Sequence, residues 1–194
     1  ASRQSINEML SVFNTDIDTS GLTIEDRAIS NSEGAGDLML RIYSPIEITN
    51  KVAGLLYVHG GGFVVGSLDT EHASAVSIAR DLNIVVVSVD YRLAPEYPFP
   101  AGLNDCYRAL EWMHDSAVEL NVDSERIGIF GQSAGGGLCA ALALMARDQK
   151  GPGICFQYLG MPELDDRLET VSMMTFTDTP MWHRPNAELS WQYY

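Results

Sequence analysis

Between positions 127 and 137 an apolar run, Ile127-Gly128-Ile129-Phe130, stops at Gly131-Gln132-Ser133-Ala134-Gly135 and resumes as an Ala- and Leu-rich stretch with helical spacing. That pattern predicts strand, tight turn and helix in immediate succession. The small residues around Ser133 fit G-x-S-x-G, in which a serine sits on a sharp strand-to-helix turn with its hydroxyl exposed at the end of a sheet. Ser133 is the candidate nucleophile. A serine here also reads as an ordinary N-cap opening a helix, so the five residues alone leave both readings open.

The surrounding chain puts this turn into an α/β architecture. Residues 52–58, 84–90 and 153–159 are nearly continuous apolar runs, the mark of strands buried on both faces of a sheet. Helical spacing fills 69–82, 101–121 and 134–148, so strands and helices alternate and a mostly parallel central sheet flanked by helices is predicted. Upstream, 22–25 and 38–43 alternate in polarity across a polar turn at 30–37 and predict an antiparallel pair. Ile6, Met9, Leu10, Val12 and Phe13 suit a short amphipathic helix, Pro95, Pro98 and Pro100 a helix-free loop, and Asp123-Ser124-Glu125-Arg126 a turn. The division that follows is an N-terminal cap segment over 1–20, a core over 21–167, and the start of a second cap segment over 168–194, where 185–194 has a helical pattern.

Composition narrows the partners. A chain of 194 residues with 46% hydrophobic content can bury one sizeable core and needs no second main domain. Its net charge of -14 disfavours a phosphate backbone or an anionic bilayer as partner. The first residues lack the basic and apolar regions of a secretory leader, and no apolar stretch approaches the ~20 residues of a membrane span. Neither nucleic acid nor stable membrane insertion is expected. Cys106, Cys139 and Cys155 lie in apolar patterns without close pairing and read as buried free thiols, which suits a cytoplasmic location.

A serine elbow becomes informative when another element supplies donors for an oxyanion. His59-Gly60-Gly61-Gly62 follows the buried run 52–58, and consecutive glycines let backbone N–H groups approach a ligand with no side chain between them. The competing reading, a strand-ending turn or a phosphate nest, lacks the lysine that a P-loop would carry. With His59-Gly60-Gly61-Gly62-Phe63, Tyr91-Arg92-Leu93-Ala94-Pro95-Glu96, Gly131-Gln132-Ser133-Ala134-Gly135-Gly136 and Leu164-Asp165-Asp166-Arg167 in that order, the chain resembles the hormone-sensitive-lipase-like (bacterial family IV) carboxylesterases of the α/β-hydrolase fold. The resemblance implies a carboxylesterase or lipase that hydrolyses short to medium acyl esters, small-molecule substrates, through an acyl-serine intermediate. It implies Ser133 as nucleophile and the N–H groups of Gly60, Gly61 and Ala134 as the oxyanion hole, with no cofactor and no metal. His59 would then be structural, and 91–96 would brace the glycine loop. Gln132 departs from the aspartate usual before the serine, which removes a charge beside the elbow and leaves its geometry.

In this fold the acid and the base follow the serine in the order Asp or Glu, then His. Of the four histidines only His183 follows Ser133; His72 and His114 fall in helical patterns before it. Asp165 or Asp166 with His183 would satisfy the order, but Arg167 beside both carboxylates suggests an ion-pair loop, and His183 leads into a helix between two prolines. The expectation is therefore the N-terminal two-thirds of an enzyme, with C-terminal strands missing and the triad Asp and His on a second chain or a further segment. Such a chain would be near-inactive and would end its sheet on an uncovered edge. The alternative is a non-catalytic, receptor-like small-molecule binder of the same fold.

Overall fold

The computed structural model describes residues 3–12, 17–31 and 36–194. Its elements in chain order are α1 (Arg3–Ser11), β1 (Leu22–Ser30), β2 (Asp37–Pro45), β3 (Val52–Val58), α2 (His72–Leu82), β4 (Val85–Val89), α3 (Ala101–Asp115), β5 (Val122–Gln132), α4 (Ala134–Gln149), β6 (Phe156–Gly160), α5 (Val171–Thr175) and α6 (Arg184–Tyr193). Phe13 of the expected first helix and positions 32–35 of the expected turn lie outside the described residues.

One six-stranded sheet runs in the order β1-β2-β4-β3-β5-β6. β1 and β2 pair antiparallel, β2 is antiparallel to β4, and β4, β3, β5 and β6 are mutually parallel. The parallel strands read as unbroken apolar runs because both faces are covered. Leu56, Val58, Val87, Ile127 and Ile129 bury on one side with Leu110 and Met113 of α3 and Leu138 and Leu142 of α4. Leu55, Tyr57 and Val86 bury on the other against Ala75, Val76 and Ala79 of α2.

Several boundaries differ from the sequence reading. The helix expected to reach 121 stops at Asp115, because Ala117 N–H turns back to His114 O and Val122 N–H donates to Ala117 O at 2.7 Å. The expected turn at 123–126 is a bulge inside β5, where the register jumps from Val52↔Val122 to Gly54↔Ile127. Cys106 and Cys139 are buried, but Cys155 is exposed just ahead of β6. The last apolar run is also less covered than expected, with Phe156 55% and Tyr158 46% exposed. Among the described residues β6 pairs on one side, with β5, so its neighbour along the sheet is a single strand.

The expectation of a core lacking its C-terminal strands is corrected. All six strands join one continuous sheet, and two further helices, α5 and α6, follow β6. Helix α6 returns to the glycine loop, where Phe63 stacks on Tyr194 at 4.0 Å between ring centroids and Ser190 Oγ donates to Gly62 O at 2.6 Å.

One buried ion pair ties α3 to the loop after β4. Asp105, fully buried, accepts Arg92 Nε and Nη2 at 2.9 Å each, the Arg92 backbone N–H at 2.9 Å and Asn31 Nδ2 at 2.9 Å. Removing one partner of such a pair strands the other charge. Asp105→Ala is expected to lower unfolding stability by about 3–5 kcal/mol, read from the urea midpoint.

Candidate active site

Register assembles the site. β3 and β5 pair with Val58 opposite Gly131, so the glycine loop leaving β3 lies beside the serine turn leaving β5. β5 and β6 pair with Gln132 opposite Gly160, which brings Met161-Pro162-Glu163 to the other side of the same turn. All three segments emerge at the carboxyl ends of adjacent parallel strands, where open α/β sheets place their ligands.

The turn itself is strained. Ser133 has φ 53 and ψ -123 ahead of α4 and makes no side-chain cap bond, so the N-cap reading gives way to a serine held in a conformation that L residues rarely adopt. The neighbouring glycines are there for space. A Cβ on Gly131 would run into the carbonyl of Gly135, and one on Gly135 into the carbonyls of Val58 and His59. Strand, turn and helix therefore close to backbone contact.

The glycine loop approaches from the β3 side. A Cβ on Gly60 would lie 3.7 Å from Ser133 Cβ, and Gly61, Gly62 and Phe63 all have positive φ (122, 55 and 61). Among the described residues no backbone carbonyl takes up the N–H of Gly60, Gly61 or Ala134. Other points of the loop are fastened. Tyr91 Oη donates to His59 O at 3.0 Å, Ala94 N–H to Phe63 O at 3.0 Å, and Arg3 Nε of α1 to Val64 O at 2.6 Å. Asn7 of α1 exchanges two hydrogen bonds with the backbone of Gly66.

His59 is part of this frame. Its ring is buried, stacks on Tyr91 at 4.1 Å and sets Nδ1 2.7 Å from Gly60 O, and burial pushes its pKa down to about 4. It is neutral at physiological pH. Burial likewise drives the Tyr91 hydroxyl well above its ordinary range, so both act as fixed hydrogen-bonding groups.

The structure does not join Asp165, Asp166 and His183 to the serine. Asp165 forks onto Arg167 at 2.7 and 2.8 Å, in the exposed ion-pair loop the sequence suggested. His183 is the N-cap of α6, accepting from Asn186 N–H. His72 bonds Tyr43 at 3.0 Å and His114 lies 3.8 Å from Asp115. The side chain that does meet Ser133 is Glu163: Oγ donates to its Oε1 at 3.0 Å. Neither Glu163 nor Ser190 stands out in the sequence, where Ser190 falls only within the helical pattern of 185–194, because the strand register and helix packing that deliver them are tertiary.

An open sheet carrying a strained serine elbow beside a glycine loop defines an α/β-hydrolase. The family model for the alpha/beta hydrolase fold matches residues 55–194, and the chain belongs to that family, in its hormone-sensitive-lipase-like branch. It is 40% identical over 172 residues to Carboxylesterase NlhH of Mycobacterium tuberculosis, covering 88% of this chain and 54% of that one. To an arylesterase of Saccharolobus solfataricus it is 47% identical over 114 residues, covering 59% and 37%. The structure of a bacterial heroin esterase superposes with a TM-score of 0.95 at 44% identity, covering 99% of this chain and 61% of that one. The chain thus spans about half the length of the mycobacterial relative.

These matches correct the expectation that the matched region lacks its C-terminal elements, since 99% of the chain, α5 and α6 included, superposes on the relative's fold. The expectation of a near-inactive chain wanting its triad acid and base is corrected on the same ground, as likeness to a carboxylesterase runs through 88% of the chain. Among the described residues no helix is long and apolar enough to cross a membrane. Because Gly135 leaves no room for a side chain, Gly135→Ala is expected to cost about 1–3 kcal/mol of stability and to displace the elbow; a thermal unfolding curve beside serine labelling checks both.

Proposed function

We propose that the protein is a serine carboxylic-ester hydrolase that cleaves short to medium acyl esters of small molecules through an acyl-serine intermediate, without metal or cofactor. The observation that carries this reading is the Val58↔Gly131 register, which sets a serine with φ 53 beside a loop whose Gly60 and Gly61 N–H groups are taken up by no backbone carbonyl among the described residues. The proposed nucleophile is Ser133. Its Oγ bonds to the acyl carbon as a general base takes the hydroxyl proton, and the carbonyl oxygen becomes an oxyanion. The N–H groups of Gly60, Gly61 and Ala134 are the proposed donors to it, fixed in place before charge develops. Collapse breaks the ester C–O bond while the same base returns the proton to the leaving oxygen, releasing the alcohol, and water then hydrolyses the acyl-serine to acid and free enzyme.

The names of the relatives support an enzyme over the receptor-like alternative, since they are esterases. Residues 1–20 and 168–194 are proposed as cap segments over the elbow, supported by the contacts of Arg3, Asn7 and Ser190 with the glycine loop. A cytoplasmic location is proposed on the strength of free thiols.

The test is covalent labelling. An alkyl fluorophosphonate is expected to add to Ser133 and Ser133→Ala to remove the adduct in intact-mass analysis, with hydrolysis of p-nitrophenyl acetate and butyrate falling by about 10³-fold or more. A variant that keeps its adduct contradicts the assignment.

A further inference from the structure

The nucleophile's hydroxyl is held by a carboxylate that the backbone delivers. Ser133 N–H donates to Gly160 O at 2.8 Å at the end of β6, and Glu163 N–H donates back to Ser133 O at 3.1 Å. On the α4 side a Cβ at Gly137 would strike the Glu163 carbonyl. Glu163 is thus locked to the elbow at its main chain, and its Oε1 accepts from Ser133 Oγ at 3.0 Å. The other oxygen, Oε2, is buried with no hydrogen-bond partner among the described residues.

An unpartnered buried carboxylate oxygen costs stability, and packing gives no reason to keep one. Such violations of polar satisfaction concentrate at working sites. Burial pushes the Glu163 carboxyl above the ordinary 4.5, and the Ser133 hydroxyl is the group that draws it back down. From the loop after β4 the titratable group that faces it is Tyr91, itself neutral. The glycine-rich first turn of α4 presents no charged side chain.

We propose that Glu163 is a positioning residue for the nucleophile, drawing the Ser133 hydroxyl hydrogen toward the β6 side and leaving the Oγ lone pairs turned to the glycine loop, where the acyl carbon is bound. The inference rests on the acyl-serine reading of Ser133. Its physical basis is that a charge-assisted hydrogen bond fixes the hydroxyl rotor and raises electron density on Oγ. Once Glu163 is protonated, that pull weakens. Reactivity of Ser133 therefore rises with pH through the Glu163 titration, at a midpoint above 4.5.

The experiment measures the rate at which the alkyl fluorophosphonate labels the intact chain from about pH 4 to pH 8. The wild type is expected to show an acid limb centred above the ordinary glutamate value. Glu163→Gln, nearly the same shape but unable to titrate, is expected to lose that limb and to label about tenfold more slowly at neutral pH. Glu163→Asp, which keeps the charge on a shorter arm, is expected to regain a pH limb but not the full rate. Rates and pH profiles that superimpose for wild type and Glu163→Gln would overturn the proposal while leaving the nucleophile intact. A Ser133→Ala protein that labels as fast as wild type, or a wild type that takes up no probe, instead overturns the acyl-serine reading and this inference with it.

Discussion

Everything at this site depends on close backbone contact at the junction of β3, β5 and α4. Gly131 and Gly135 have no room for a Cβ, and the obstructing atoms are carbonyls rather than yielding side chains. Parallel pairing with Val58 opposite Gly131 lets the two loops leave the sheet side by side. That contact forces Ser133 to a positive φ, which the hydrogen bonds to Gly160 and Glu163 hold in place. Strain of this kind persists only where its surroundings over-determine it.

A second line of support starts from the buried face of α3. Asp105 holds Arg92, the preceding residue Tyr91 holds the carbonyl of His59, and the His59 ring bonds Gly60 O. Each member is neutral or paired, as a low-dielectric interior requires. On the outer side α1 and α6 reach the same loop through Arg3, Asn7 and Ser190. The loop is thereby fastened through carbonyls and side chains, while among the described residues no backbone carbonyl takes up the N–H groups of Gly60 and Gly61.

Periodicity exposed the buried strands because both faces of the sheet are covered, and the glycine density around Ser133 and Gly60 exposed the elbow and the loop. The same signals misjudged β6 and Cys155. An apolar run reports affinity for a buried face and says nothing about whether a neighbour covers it. Helical spacing likewise ran through 116–121, where backbone bonds turn the chain back toward β5.

From local chemistry alone, the sequence determined that a strand must turn sharply at Ser133 and that a naked backbone must follow 52–58, since short-range sterics and glycine placement dictate both. Tertiary structure alone decided what surrounds the serine. Glu163 lies 30 residues along the chain from Ser133 and Ser190 lies 128 from Gly62. Nothing in either residue's neighbourhood encodes such a contact; strand register and the return of α6 create it.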